Sequence, residues 1–192
     1  MRYKYIDVLN RLNNGEMMMS KWLPTRYFDK KEDIPVEEYY RSGYRGILFD
    51  IDNTLVPHDE PVDEKARVFV KRLKKLGFGI CLISNNDEER VRTFADPLEV
   101  KYVYKAWKPK REGYIKGMEI LGTDRSSTLF VGDQIFTDIW GANRAEMYSI
   151  LLDPINPKEE IQIILKRIPE KFIKWLYRKK RGLSKGEFDI NI

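Results

Sequence analysis

Two aspartates that are separated by one residue, Asp50 and Asp52, follow the apolar run 47–49. The run predicts a buried strand of a parallel sheet, and open α/β sheets bind ligands beyond the carboxyl ends of their strands. Clustered carboxylates repel each other unless a cation lies between them, and Mg²⁺ prefers such oxygen ligands. The pair therefore indicates a metal site, although the same pattern also occurs in surface turns and in sugar-nucleotide transferases.

Polar residues also follow the next predicted strands, at 79–83, 102–104 and 128–131. These residues are Ser84, Asn85, Lys108, Asp133 and Asp138. Parallel connections place the carboxyl ends of all these strands at one edge of the sheet. We therefore expect these side chains to meet the aspartate pair in a single site.

The residue types in this predicted site suit phosphoryl transfer. Asp50 can accept the phosphoryl group as a nucleophile, and Asp52 can protonate the leaving oxygen and later deprotonate water. Ser84 offers a hydroxyl group to the phosphoryl oxygens. Lys108 supplies a positive charge that stabilises the transition state. The predicted catalytic residues are therefore Asp50, Asp52 and Lys108.

A Mg²⁺ ion is the predicted cofactor, with Asp50, Asp52, Asp133 and Asp138 as its ligand set. Asp133 is expected to bind the ion directly, and Asp52 through its backbone carbonyl. Asp138 is expected to hold a metal-bound water. The acids thus serve both the metal and the chemistry.

Other polar residues near the aspartates allow two interpretations each. Asn53, Thr54 and Asn85 join Ser84 as predicted phosphate contacts, although the two asparagines could instead shape turns. His58 is predicted to lie at the surface, with substrate contact as the alternative. Arg144 either binds a substrate anion or braces a loop.

Strands and helices alternate along the chain, which predicts an α/β fold with a doubly wound parallel sheet. The intervals from Asp50 to Ser84 and from Ser84 to Lys108 each hold one turn, one helix and one strand, so no cap domain is inserted. A fifth strand is predicted at 149–152. The predicted helices cover 63–76, 87–94, 112–121 and 139–147. The predicted regions are an N-terminal preamble (1–45), the catalytic domain (46–155) and a basic C-terminal extension (156–192).

The composition is that of a soluble globular protein, with 192 residues, 42% hydrophobic and 34% charged. A net charge of +5 permits anionic partners without naming one. The single cysteine, Cys81, excludes an intrachain disulfide and is predicted to lie in the core. No apolar run approaches a membrane span and the N-terminus lacks a signal-peptide pattern, so we expect a cytoplasmic protein.

Both ends of the chain leave alternatives open. The C-terminal extension combines apolar residues at helical spacing with many Lys and Arg residues, and Pro169 should break or kink the helix. This pattern suits either peripheral contact with an anionic membrane or a docked helix with a solvated basic face. Segment 17–23 is predicted to pack on the domain, with membrane or partner contact as the alternative. We expect no DNA partner, RNA binding is not favoured, and the oligomeric state stays open.

Four segments resemble the motifs of the haloacid dehalogenase (HAD) superfamily of phosphotransferases. In order, they are Asp50-Ile-Asp-Asn-Thr-Leu55, Leu82-Ile-Ser-Asn85, Lys108-Pro109, and Gly132-Asp133 with Asp138. Residues 22–155 are also similar to the YqeG-like HAD-IIIA phosphatases, a group related to the mitochondrial phosphatidylglycerophosphate phosphatases. The resemblance implies a HAD-like Rossmannoid fold and a Mg²⁺-dependent phosphomonoesterase that works through an aspartyl phosphate. Phosphatidylglycerophosphate at the membrane surface is then a candidate substrate.

Other functions fit part of the same pattern. The substrate could be a soluble or protein-borne phosphate instead of a lipid. A non-enzymatic phospho-acceptor domain shares an acid cluster, a hydroxyl and a lysine, but its acid pair and acceptor aspartate come from different strands. A basic RNA- or ribosome-binding protein could retain the site as a relic. Because the motifs lack no essential group, the sequence favours an active phosphatase.

Overall fold

A computed structural model describes residues 21–156 of the chain. Its centre is one six-stranded sheet with the strand order β1-β6-β5-β2-β3-β4 and parallel pairing throughout. The strands are β1 (Arg26–Phe28), β2 (Gly46–Phe49), β3 (Gly79–Ile83), β4 (Lys101–Val103), β5 (Thr128–Gly132) and β6 (Tyr148–Leu152). The helices are α1 (Val36–Arg41), α2 (Glu64–Leu76), α3 (Glu88–Leu98), α4 (Glu112–Leu121) and α5 (Trp140–Arg144). The predicted α/β fold is confirmed.

The two faces of the sheet carry separate apolar clusters, because successive strand residues point to opposite sides. On one face, Ile47 and Phe49 of β2 lie in a cluster with Phe69 of α2. On the other, Leu48 lies in a cluster with Tyr114 of α4. Helices therefore cover both faces, as expected for a doubly wound sheet, and this explains the near-continuous apolar runs of its strands.

Cys81 lies in the second cluster and is fully buried, as predicted. Burial raises the pKa of its thiol to about 12, so the thiol is neutral at physiological pH. Cys81 therefore packs in the core as a small apolar side chain.

Strand β1 was not predicted. It pairs with β6, with Tyr27 opposite Leu151, and adds an edge to the sheet. Its three residues are too few for a period-2 pattern to stand out in the sequence. The boundary predicted at residue 45 stays a prediction, and β1 lies on its N-terminal side while sharing the sheet.

The helices begin and end at recognisable residues, with small differences from prediction. The Asp63 carboxylate accepts a hydrogen bond from the Ala66 N–H at 2.7 Å, which caps α2. Gly77, with φ of 98°, ends that helix. Helix α3 continues to Leu98, beyond the predicted end at Phe94, because Leu98 is buried with the rest of its apolar face.

The segments between the strand ends contain no additional domain. A loop, α2 and β3 separate Asp50 from Ser84, and α3 and β4 separate Ser84 from Lys108. Among the helices within residues 21–156, none is both long and apolar enough to cross a bilayer. The predicted basic extension (156–192) lies outside the described residues except for Asn156, as do residues 17–20 of the N-terminal segment.

Candidate active site

The site lies at the carboxyl ends of the three adjacent strands β5, β2 and β3. Because β2 pairs with both of its neighbours, Phe49 lies opposite Val131 on one side and Leu82 on the other. Asp50 therefore leaves the sheet between Asp133 and Ser84. Parallel pairing brings these residues together, as the sequence predicted.

Lys108 is buried between two carboxylates. Its Nζ atom contacts Oδ1 of Asp50 and lies 2.7 Å from Oδ1 of Asp138, and its side chain is 5% exposed. Burial opposes the positive charge, but the charges of Asp138 and Asp50 outweigh it and raise the pKa of Lys108 above its ordinary value. The lysine is therefore a fixed positive charge beside Asp50.

Asp50, Asp133 and Asp138 form a buried acidic group whose carboxylate oxygens all lie within 4.8 Å of one another. The Thr54 hydroxyl lies 3.4 Å from an oxygen of Asp50 and 3.4 Å from an oxygen of Asp133. Burial raises the pKa of Asp50 well above its ordinary value, Lys108 opposes this shift, and the two other carboxylates add to it. Ionisation of Asp50 is therefore unfavourable as long as no further cation balances the negative charge of the acidic group.

The donor set of this group fits a divalent cation. Three carboxylates and the Lys108 ammonium leave a formal charge of −2 in a buried place. Buried charge is costly unless it is paired, and hard cations such as Mg²⁺ prefer carboxylate oxygens. The predicted ligands Asp50, Asp133 and Asp138 therefore fit the ion, and Thr54 borders two of them.

A π-helical turn at Ile135–Ile139 orients Asp138. The backbone N–H of Gln134 donates to its carboxylate at 3.0 Å. The buried Tyr114 hydroxyl lies 2.9 Å from the Thr137 carbonyl and 3.1 Å from the Asp138 carbonyl, so it can donate to either. Gly141 makes room for this ring, because a Cβ there would collide with the Tyr114 hydroxyl. Turns of this kind recur at functional sites.

The carboxylate of Asp52 belongs to a second group, with His58 and Asp59. The Arg90 guanidinium lies 3.1 Å from its Oδ1 atom, and the Asn86 side-chain amide donates to Oδ2 at 3.2 Å. Arg90 also pairs with Asp59 at 2.9 Å. The Asp52 carboxylate is thus held by cationic and amide donors, and its predicted metal contact can come only from the backbone carbonyl, which stays a prediction.

His58 is 30% exposed through its side chain, and its Nδ1 atom lies 3.6 Å from Asp52. It was predicted to lie at the surface, with substrate contact as the alternative. The structure instead places it, partly buried, at the border of the site.

Both asparagines that were candidates for phosphate contact make side-chain hydrogen bonds to main-chain groups instead. The Asn85 amide donates to the Lys108 carbonyl at 3.1 Å, and its Oδ1 atom accepts from the Lys108 N–H at 2.6 Å. Asn53 has φ of 62°, and its Oδ1 atom accepts from the Asn156 N–H at 3.2 Å. These contacts match the turn-shaping interpretation, so phosphate contact by either amide stays a prediction.

Ser84 and Arg144 also lie at this edge of the molecule. Ser84 is buried, and its hydroxyl accepts from the Asn86 N–H at 3.1 Å. The Arg144 guanidinium donates to the Pro109 carbonyl at 3.2 Å, next to Lys108, which is the bracing contact that the sequence left as one of two alternatives.

Sequence reasoning missed the roles of three residues. Asn86 and Arg90 belong to a segment that the narrower resemblance included, but nothing in the sequence showed that they hold Asp52. Tyr114 carried no signal beyond an apolar helix face, because its hydroxyl contacts main-chain carbonyls of a distant turn.

Comparison with known proteins identifies the family. Residues 57–146 match the family model described as haloacid dehalogenase-like hydrolase. The Bacillus subtilis protein named Probable phosphatase YqeG is 30% identical over 140 residues, which cover 72% of this chain and 81% of that protein. The chain belongs to the haloacid dehalogenase-like hydrolases. Its resemblance to this family and its predicted enzyme class, a phosphatase, are confirmed, which favours an enzyme over a phospho-acceptor domain or an RNA-binding protein.

One further relative and one solved structure extend the comparison of this haloacid dehalogenase-like hydrolase. Phosphatidylglycerophosphate phosphatase 1, chloroplastic/mitochondrial, from Arabidopsis thaliana is 28% identical over 142 residues, which cover 68% of this chain and 40% of the plant protein. The match thus spans less than half of the plant protein. The crystal structure of an uncharacterized protein from Corynebacterium glutamicum is 20% identical, with a TM-score of 0.49, and covers 74% of this chain and 98% of that chain.

Proposed function

We propose that this protein is a Mg²⁺-dependent phosphomonoester hydrolase that forms an aspartyl phosphate on Asp50. The observation that carries the proposal is the position of Asp50, which is buried against Lys108 and grouped with Asp133 and Asp138. A nucleophilic carboxylate needs a cation to hold it and to balance the phosphate that it attacks. Lys108 and an ion bound by the acidic group together meet that need.

Asp50, Asp133 and the Asp52 backbone carbonyl would hold the Mg²⁺ ion, with Asp138 holding a water of its shell. When bound, the ion supplies positive charge that balances the phosphate oxygens and the acidic group. Tyr114 fixes the turn that carries Asp138, so the ligand geometry is set by the fold before the ion binds.

The reaction proceeds in two displacements on the protein's own groups. An oxygen of Asp50 attacks phosphorus, the bond to the ester oxygen breaks, and the Asp52 carboxyl gives its proton to that oxygen. Asp52 then takes a proton from water, which attacks the phosphorus of the aspartyl phosphate and releases inorganic phosphate. Asp50 is thereby restored, and Lys108 stays charged throughout.

A phosphate ester at a lipid surface is the substrate class that we favour, with phosphatidylglycerophosphate as the candidate. The plant relative is named for this substrate. Within residues 21–156 no inserted domain covers the site, so a headgroup that cannot leave its bilayer can still reach Asp50. A soluble or protein-borne phosphate is the alternative substrate.

Phosphate release from an aryl phosphate tests the proposed chemistry. We expect full activity with Mg²⁺, none after chelation with EDTA, and inhibition by Ca²⁺, whose looser coordination disturbs in-line attack. Asp133→Ala should raise the Mg²⁺ requirement sharply, whereas Glu119→Gln, an exposed acid on α4, should not. Activity that persists in EDTA would contradict the proposal, and phosphatidylglycerophosphate in the same assay tests the substrate.

Asp52→Asn is expected to slow hydrolysis in proportion to how poor the leaving group is. The loss should be roughly 10²–10⁴-fold for alkyl phosphates, whose alkoxide needs a proton, and smaller for aryl phosphates. The measurement is kcat for the two ester classes side by side. Equal losses for both classes would show that Asp52 is not the acid.

A further inference from the structure

A row of aromatic and basic side chains borders the active site beyond its catalytic residues. Trp107 immediately precedes Lys108 and is 66% exposed. Lys110 lies 5.9 Å from the centre of the Trp107 ring. The Arg144 guanidinium bonds to the Pro109 carbonyl and lies 5.6 Å from the Trp140 ring. We call these four residues, Trp107, Lys110, Trp140 and Arg144, the aromatic–basic rim.

Behind the rim, Trp140 packs against further, partly buried aromatic side chains. Trp22 packs edge-on against Trp140 and Phe136, with ring centres 6.4 Å and 6.2 Å apart. Phe136 belongs to the same turn as Asp138. Trp140 of the rim is therefore held by Trp22, and Trp22 is itself held by the turn that carries Asp138.

A hydrogen-bonded loop with an unusual backbone conformation holds Trp107 in its exposed position. Trp107 has φ of 55° and Lys105 has φ of 43°, a region that bulky residues rarely adopt. Hydrogen bonds hold the loop, because the Ala106 N–H donates to the Ser84 carbonyl and the Lys110 N–H to the Trp107 carbonyl. Strain that a protein maintains in this way concentrates at functional sites.

The charge of the rim selects anions. Trp107, Lys110 and Arg144 line a surface depression of about 410 Å³, together with Ala106 and one acid, Glu112. An exposed indole among cations is the composition that proteins place at the interface between a bilayer and water. The two cations favour an anionic partner, and the exposed indole beside them favours the surface of a bilayer as that partner.

We propose that the aromatic–basic rim docks the protein on an anionic bilayer, with the Trp107 indole at the interface and Lys110 and Arg144 against lipid phosphates. Because Trp107 and Pro109 flank Lys108 in the chain, docking there turns the active site towards the membrane. The docking deepens the proposed function, since it would bring lipid phosphate esters to Asp50. It differs from membrane contact through the basic C-terminal extension, because it uses the catalytic face itself.

Co-sedimentation of the full chain with vesicles tests the rim. The vesicles contain equal amounts of phosphatidylcholine and phosphatidylglycerol, and vesicles of phosphatidylcholine alone are the comparison. We expect binding to the anionic vesicles that is lost at about 1 M salt, where charges are screened beyond roughly 3 Å. Lys110→Gln should weaken binding roughly fivefold, and Lys116→Gln, an exposed lysine on α4, should not.

Trp107→Asn removes the indole and keeps a residue that tolerates positive φ. The blue shift of tryptophan fluorescence on vesicle binding should shrink in this variant, and binding should weaken. Thermal unfolding of each variant confirms that it is folded. The proposal is overturned if these rim variants bind anionic vesicles as well as the unaltered protein does. This includes the case in which binding is lost only when Lys179, Lys180 and Arg181 are replaced by Glu. It is also overturned if the unaltered protein does not bind anionic vesicles.

The assay separates this inference from the proposed function. Mg²⁺-dependent hydrolysis of a soluble aryl phosphate reports on the chemistry and needs no vesicle. Vesicle binding by the Asp50→Asn protein reports on docking and needs no chemistry. Hydrolysis without rim-dependent binding overturns the docking alone, whereas rim-dependent binding without hydrolysis overturns the chemistry alone.

Discussion

Asp50→Asn is expected to lower turnover by roughly 10⁴-fold or more, because the amide keeps the shape of the side chain and cannot form an aspartyl phosphate. The variant should stay folded. Thr54 still borders the position, and Lys108 keeps Asp138 as a partner. The measurement is phosphate release with Mg²⁺, on protein purified away from host phosphatases.

The same variant should be at least as stable as the unaltered protein in EDTA at neutral pH. Burial raises the pKa of Asp50, so between its ordinary and raised pKa values the folded state binds more protons than the unfolded state. The contribution of Asp50 to the free energy of unfolding therefore falls as pH rises. Asparagine does not ionise, so the variant does not show this decrease. Lost activity together with undiminished stability would assign Asp50 to chemistry, whereas activity near that of the unaltered protein would exclude it as the nucleophile.

Lys108→Met is expected to damage both activity and folding. Turnover should fall roughly 10²–10³-fold, because a fixed charge beside the reacting phosphate is lost. In EDTA, the free energy of unfolding should fall by about 3–5 kcal/mol, because the variant leaves Asp50, Asp133 and Asp138 without their buried cation. Thermal or denaturant unfolding measures this change.

Mg²⁺ gives this prediction a second readout. A divalent ion should stabilise the Lys108→Met protein more than the unaltered protein, because the variant's acidic group carries one more uncompensated charge. Lys116→Met is the matched control, since this lysine is exposed, and its effect should stay within about 0.5 kcal/mol. An equal Mg²⁺ effect on all three proteins would contradict the assigned role of the acidic group.

The sequence predicted those parts of the site that depend on local pattern. Asp50, Ser84 and Asp133 directly follow buried apolar strands, and parallel pairing of the strands then fixes their neighbourhood. Lys108 also contacts the acid that its position after β4 suggested. Site residues that directly follow strands are thus predictable, because the parallel topology of the sheet is enough to bring them together.

Side-chain direction was not predictable in the same way. The Asp52 carboxylate turns to Arg90 of α3, and the Tyr114 hydroxyl contacts carbonyls of the turn that carries Asp138. Each contact joins distant parts of the chain and depends on rotamers that no periodic pattern encodes. The strand β1 was missed for a different reason, since three residues are too short a signal.

The hydrogen bonds of Asn53 also determine where the chain leaves the described region. The Asn53 carbonyl accepts from the Ile155 N–H at 3.1 Å, and its side chain accepts from the Asn156 N–H. Residues from 157 onwards thus start from a point fixed to the loop that carries Asp50. Any surface or molecule that binds this segment is therefore held near the catalytic centre, and its effective concentration there depends on its distance along the chain from Asn156.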